Sequence, residues 1–225
     1  MRITDIRHKK LAEGQTGITN ANEMFLFVHG KKGLVREIGV SNFGVGQMQL
    51  VKDMGIDICV NELAYNLIHR GAELAVFPYT ENNNIGIMAY MPLMQGVLSG
   101  KYDTIEEIPV VRRRTLHFDS RKNDQIRHGG PGMEDALETF LADLKAVSKE
   151  SGISCSTLCI SWILSHSAVS TVLAGCRTTA QLEANVKAVE TTLSALVKRL
   201  DEISAPIASM CGANCDLWQW NSRVW

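Results

Sequence analysis

The chain has 225 residues, 45% of them hydrophobic, with 23 Lys+Arg against 24 Asp+Glu and a formal net charge of −1. That length leaves room for a sizeable core, and the balanced charge argues against nucleic acid as a partner. No apolar run approaches the roughly 18–20 residues of a membrane span, so no membrane partner is expected.

Residues 1–20 form a polar segment without a core pattern, followed by a helix over 21–32 that Gly33 ends. The first 20 residues hold no apolar stretch of the secretory type. From residue 35 onward, strands and helices alternate. Strands are expected over 35–40, 56–60, 85–90 and 169–174, each of the usual five or six residues. None alternates cleanly between apolar and polar, the pattern of strands buried on both faces in a parallel sheet. Helices are expected over 47–54 and 72–82, the second kinked at Pro78. The 103–132 stretch, rich in Arg, His and Gly, reads as a long surface loop.

Four longer helices follow. Met133, Ala136, Leu137, Phe140, Leu141, Leu144 and Val147 make one helix face, which Gly152 ends. Cys155, Leu158, Cys159, Trp162 and Ile163 repeat the spacing behind Ser154 as N-cap. Thr178 and Gln181 fit a capping box that opens a third helix, with Leu182, Val186 and Val189 turned inward. Leu193, Leu196, Val197, Leu200 and Ile203 make a fourth helical face. The six cysteines (Cys59, Cys155, Cys159, Cys176, Cys211, Cys215) contain no C-x-x-C pair. They read as reduced, mostly buried thiols of a cytoplasmic protein, and the i,i+4 pairs lack the His or acidic partners that a metal site needs.

Alternating β and α predicts an α/β fold with right-handed crossovers. In such a fold the informative residues sit just after the strands. Ser41 and Asn42 follow the first, Glu62 and Tyr65 the second, and Tyr90 closes the third ahead of a loop with Gly96 and Gly100. Gly175, Cys176, Arg177 and Thr178 follow the fourth. In a parallel α/β barrel the strand C-termini open onto one face, so these groups are expected to converge. Their chemistry is coherent. A hydroxyl and an amide suit a carboxamide, a tyrosine face suits a planar ring, and loop glycines bring backbone N–H groups to a phosphate. An arginine at a helix N-terminus suits a second anion. There is no G-x-G-x-x-G, which excludes a Rossmann site. Taken singly, each of these residues has a plainer reading as a turn, cap or packing residue; only their shared placement at four strand ends points to a dinucleotide.

Four ordered segments carry a resemblance. Val35-Arg36-Glu37-Ile38-Gly39-Val40-Ser41-Asn42-Phe43 resembles the fifth-strand signature of the aldo-keto reductases, and Val60-Asn61-Glu62-Leu63-Ala64-Tyr65-Asn66-Leu67 the sixth-strand segment. Ile87-Met88-Ala89-Tyr90-Met91-Pro92-Leu93 with Gln95-Gly96-Val97-Leu98-Ser99-Gly100 resembles the seventh. Leu173-Ala174-Gly175-Cys176-Arg177-Thr178 with Gln181-Leu182-Glu183-Ala184-Asn185 resembles the eighth strand and its cofactor helix.

The resemblance implies a partial (β/α)8 TIM barrel, equivalent to strands 5–8 with their helices and lacking strands 1–4. It divides the chain into a remnant over 1–33, a half-barrel domain over 34–205 and a C-terminal tail over 206–225. The implied cofactor is NADP(H). Ser41, Asn42 and Glu62 would meet the nicotinamide carboxamide and Tyr90 would stack on the ring. Leu93, Gln95, Gly96, Leu98 and Gly100 would wrap the pyrophosphate. Gly175, Arg177 and Thr178 would face the 2′-phosphate, with Gln181 and Asn185 at the adenosine end. Glu62 stands where the family usually has Gln, and Ala184 where an acidic residue often stands.

The family reaction is hydride transfer between NADPH and an aldehyde or ketone, with a tyrosine acid tuned by Lys and Asp and assisted by His. Those four groups belong to the first four strands. This sequence has no Tyr before Tyr65, and its early His8 and His29 lie in no matching motif. The resemblance therefore implies a truncated, catalytically incomplete reductase with no catalytic residue of its own. The alternatives are a non-catalytic dinucleotide-binding or regulatory protein and an enzyme completed by a second polypeptide. Four strands cannot close a barrel, so open edges and self-association are expected.

Overall fold

The structure, a computed structural model, describes residues 36–225. The expected 1–33 segment, its helix over 21–32, and the early His8 and His29 lie outside the described residues.

Four strands, β1 (Gly39–Ser41), β2 (Val60–Ala64), β3 (Gly86–Tyr90) and β4 (Val169–Leu173), form one parallel sheet in the order β1-β2-β3-β4. Ser41 pairs with Glu62, Ala64 with Tyr90 and Tyr90 with Leu173, so the carboxyl ends of all four strands share one rim. Helices α1 (Val45–Asp53), α2 (Val76–Asn82), α3 (Glu134–Ser151), α4 (Cys155–Leu164), α5 (Thr179–Glu190) and α6 (Val197–Cys211) complete the described regular helices. None of them is long and apolar enough to cross a membrane.

The strands are well covered on one side only. Asn61, Leu63, Ile87 and Ala89 are buried within the core, whereas Glu62, Met88 and Tyr90, alternating with them, are half-buried. The expectation of strands buried on both faces is corrected accordingly. Strand β2 also starts four residues later than expected. Its first inward residue is the polar Asn61, whose Nδ2 donates to the Phe43 carbonyl at 2.7 Å. A fully satisfied amide replaces the apolar residue that would have marked the strand.

Helix α3 buries Leu137, Phe140, Leu141, Leu144 and Val147 and stops at Gly152 in the left-handed conformation, as its periodicity requires. Ser154 caps α4, its Oγ accepting from the Thr157 N–H at 3.1 Å. Pro78 does not kink a helix. A short 3-10 turn (Gly71–Glu73) precedes α2, and Pro78 falls in the first turn of α2, where its missing N–H has no intrahelical partner to lose.

Two further expectations are corrected. The 103–132 stretch is not a solvated loop, because Ile105, Ile108, Leu116, Phe118 and Ile126 are buried in it. Side chains satisfy its irregular backbone: Asn123 Nδ2 donates to the carbonyls of Val110 and Arg113, and Arg113 Nε donates to that of Ile108. On α5 the inward residue is Ala188, while Leu182, Val186 and Val189 are exposed. Helix α6 runs through Pro206 to Cys211, so the division at 205/206 falls inside a helix.

Candidate functional site at the strand rim

The rim carries a continuous run of hydrogen bonds. Tyr90 Oη donates to Asn42 Oδ1 at 2.8 Å, Asn42 Nδ2 donates to Ser41 Oγ at 3.1 Å, and Ser41 Oγ donates to the Glu62 carbonyl at 3.3 Å. Asn42 adopts φ +58°, which amide side chains tolerate better than most, and its N–H donates to the same Glu62 carbonyl at 2.8 Å. Burial pushes the Tyr90 phenol above its ordinary range, and the nearby Asp216 and Glu62 carboxylates push the same way. Tyr90 therefore stays a neutral donor. Glu62 lies within β2 rather than after it.

After Tyr90 the chain is held in a tight cradle. Met91, Met94, Gln95, Gly96 and Gly100 all have positive φ within ten residues. For the non-glycine members that conformation costs on the order of 1–2 kcal/mol each, and such strain gathers at ligand sites. The Leu93 carbonyl holds the turn by accepting from Gly96 N–H at 2.7 Å and Leu98 N–H at 3.1 Å. A Cβ on Gly96 would stand 3.3 Å from Arg112 Nη1 and 3.6 Å from Lys101 Nζ. The glycine thus leaves its backbone open between two cations.

A cavity of about 420 Å³ lies over this cradle and runs to the start of α5. Leu93, Gln95, Gly96, Gly175, Arg177, Gln181 and Asn185 line it together with Ala184, Lys101 and Arg112. Thr178 Oγ1 accepts from Gln181 N–H at 3.2 Å, capping α5. The Gln181 side chain bonds the Arg177 N–H at 2.8 Å rather than that of Thr178, so only half of the expected capping box forms. Three of the residues expected at the pyrophosphate and 2′-phosphate end lie outside this lining. Thr178 is the cap, Leu98 is fully buried in the core, and Gly100 seats the loop against Cys155, whose Sγ would be 2.7 Å from a Cβ there.

A second cavity, of about 700 Å³, opens at the ring end, where Asn42 and Tyr90 share the lining with Arg114, Arg127, Asp216, Trp218 and Arg223. The C-terminal residues are tied in by Arg223, whose Nε and Nη2 donate to the Asp216 carboxylate at 2.6 and 2.9 Å. That bidentate pair holds the Asp216 pKa below its ordinary value despite burial, which pushes the other way. Three consecutive arginines, Arg112, Arg113 and Arg114, lie in the 103–132 stretch. In the structure Arg112 and Arg114 enter the two cavities, while Arg113 bonds backbone carbonyls. The available signal was the apolar residues flanking those arginines, Ile105 and Ile108 before them and Leu116 and Phe118 after.

The two cavities flank the end of β3, where Tyr90 lines one and the adjacent Met91 the other. Ser41 and Glu62 line neither cavity, but with them the rim offers the groups that an elongated ligand with a planar end and phosphates requires. An aromatic face, an amide–hydroxyl pair, an open glycine cradle and the three cations Lys101, Arg112 and Arg177 suit it.

The sequence model of the Aldo/keto reductase family matches residues 24–205. L-glyceraldehyde 3-phosphate reductase of Escherichia coli K12 is 30% identical over 191 residues, covering 82% of this chain and 52% of that protein. Aldo-keto reductase YhdN of Bacillus subtilis is 30% identical over 152 residues, covering 68% of this chain and 43% of that protein. The chain thus spans about half the length of these curated relatives. Among solved structures, the glycerol dehydrogenase AKR11B4 from Gluconobacter oxydans superposes with a TM-score of 0.64 at 21% identity, covering 83% of this chain and 54% of that one.

Proposed function

This chain belongs to the aldo/keto reductase family, and we propose on that footing that it is the NADP(H)-binding half of a reductase site, arranged as strands 5–8 of a (β/α)8 barrel. The observation that carries the reading is the union of the Tyr90–Asn42 pair with the glycine cradle and its cations along one sheet rim.

When bound, the cofactor supplies the hydride for reduction of an aldehyde or ketone. The chain's own residues bind and orient it. Tyr90 offers its ring to the nicotinamide face, and Ser41 and Asn42 fix the carboxamide, with Glu62 beside them. Gly96, with no side chain in the way, leaves room for the pyrophosphate, which Lys101 and Arg112 beside it neutralise. Arg177 and the positive end of α5 hold the 2′-phosphate and thereby select NADP over NAD. Gln181 and Asn185 meet the adenosine.

The tyrosine acid and its Lys, Asp and His partners are expected in the part of the relatives that this chain does not match. We therefore read the chain by itself as binding cofactor without turnover. A specific observation favours completion by further polypeptide: Leu50 on α1 and Leu182, Val186 and Val189 on α5, the helices next to the first and last strands, are all half-exposed or more. A regulatory role that uses cofactor binding alone is the other reading of the same site.

Titration with NADPH, followed by quenching of its fluorescence, tests the proposal. One saturable site per chain is expected, with no carbonyl reduction by the chain alone. Absence of saturable quenching would overturn it.

A further inference from the structure

We propose that His69, His117 and Cys211 form a buried site for a borderline-soft divalent cation, zinc being the first candidate. One ligand atom from each side chain, imidazole nitrogen or thiol sulfur, lies within 4.8 Å of the others. All three residues are buried. They come from the turn after β2, from the 103–132 connection and from the last turn of α6, and His69 is near Asp216 of the ring-end cavity.

The second observation concerns His69. Both of its ring nitrogens are buried and neither makes a hydrogen bond of ordinary geometry among the described residues, the Cys215 backbone being the nearest polar partner. A buried imidazole with neither nitrogen satisfied is costly, and such a group calls for a specific explanation. Its ring sits edge-on to that of His117 with centroids 6.2 Å apart. A metal ion on one nitrogen would supply the missing partner.

The remaining geometry suits a metal. Cys211 Sγ is 3.8 Å from His117 Nε2. Ligands on one tetrahedral zinc, at about 2.3 Å from sulfur and about 2.0 Å from nitrogen, stand about 3.5 Å apart, so the cluster needs to contract by about 1 Å at its widest pair. The Ile68 carbonyl is a fourth donor in reach, 3.1 Å from His117 Nε2 and 3.7 Å from Cys211 Sγ.

His117 Nδ1 is 3.2 Å from Thr115 Oγ1. On metal binding at Nε2 the ring proton moves to Nδ1 and is donated to that hydroxyl, the second partner that ligating histidines usually have. Both imidazoles stay neutral. The Cys211 thiol gives up its proton to solvent, and the sulfur lone pair forms the bond to the metal. The ion would join segments up to 143 residues apart, from Ile68 and its neighbour His69 to Cys211, and enter as the chain folds.

The test uses the full chain stripped with a chelator and titrated with Zn²⁺ and Co²⁺. One equivalent is expected, with a thiolate-to-cobalt charge-transfer band that Cys211→Ser abolishes and Cys215→Ser keeps. Thr115→Val is expected to weaken binding by about 10- to 100-fold. X-ray absorption on the zinc-loaded wild type, which needs no variant to fold, is expected to give one sulfur and two imidazole ligands. Less than one equivalent bound, no sulfur in the shell, or a band that survives Cys211→Ser in a folded variant would each overturn the site.

Discussion

Tyr90 Oη and Asn42 Oδ1 are 2.8 Å apart although 48 residues separate them in the chain. The bond reaches across β2, which lies between their strands, and ties the ends of β1 and β3 together. It also points the Asn42 amide group at Ser41, so the rim is organised before any ligand arrives. Tyr90→Phe keeps the ring and removes one part-buried hydrogen bond. A loss of about 1 kcal/mol in unfolding free energy is expected, with NADPH affinity changed only a few-fold. Tyr90→Ala removes the ring, and affinity is expected to fall about tenfold, of which stacking beyond area burial is about 0.5–1.5 kcal/mol. Denaturant unfolding and fluorescence titration of both variants measure the split. Equal affinities for the two would remove the ring from the binding role.

Arg177 stands at the start of α5, where the helix dipole disfavours a cation. An anion placed between them would reverse that penalty. Arg177→Ala is expected to weaken NADPH binding by about 10- to 100-fold, in line with about 1.5–3 kcal/mol for hydrogen bonds to charged groups, and to leave NADH nearly unchanged. Parallel titrations with the two cofactors check it; an equal loss for both would assign Arg177 to the pyrophosphate instead.

Several helix ends were legible in the sequence because turn and cap chemistry is local. Ser154, Thr178 and Gly152 act where short-range rules put them. What escaped depends on the distant chain. Asn61 hid the start of β2 because its partner, the Phe43 backbone, lies 18 residues away. Leu182, Val186 and Val189 have the spacing of a core stripe, yet periodicity marks a face without saying whether anything covers it. Lys101 and Arg112 joined the candidate site only once the 103–132 stretch proved to be packed. The spacing of Cys211 and Cys215 suggested no metal, because the histidines beside Cys211 come from other segments.

Glu62 replaces a usual amide and lies near enough to raise the Tyr90 phenol's pKa. A carboxylate accepts from a carboxamide NH₂ but donates nothing back, and its negative charge favours a ring that is cationic only when oxidised. Glu62→Gln is expected to lower the ratio of NADP⁺ to NADPH affinity several-fold. Isothermal titration with each form measures it, and an unchanged ratio would show that the carboxylate does not sense the ring.

Gly100 has φ +81°, and a Cβ there would stand 2.7 Å from Cys155 Sγ and 3.2 Å from Cys155 Cβ. Gly152 has φ +69° with nothing within 4 Å of its Cβ position. Alanine at Gly152 incurs only the backbone penalty, about 1–2 kcal/mol. At Gly100 the overlap with Cys155 adds about 1–3 kcal/mol. Denaturant midpoints of the two variants isolate the steric part. Equal losses would mean that the loop yields and does not hold Gly96 in place.

Leu182, Val186 and Val189 form an i, i+4, i+7 stripe on α5 with exposures of 50, 55 and 72%. Gln181, Ala184 and Asn185 of the same helix line the cavity over the glycine cradle, so the apolar stripe and the cavity lining are separate sets of side chains. An apolar stripe of this kind beside the last strand of an open sheet favours association with a second copy or with a complementary polypeptide. Leu182→Glu combined with Val186→Lys replaces the stripe with an i,i+4 ion pair and removes no packing. The double variant is expected to be more monomeric than the wild type by light scattering. Its unfolding free energy should stay within about 0.5 kcal/mol, as for surface changes generally, and NADPH titration should be unaffected. A wild-type chain that is already a monodisperse monomer with a cooperative melt would show that the stripe needs no cover.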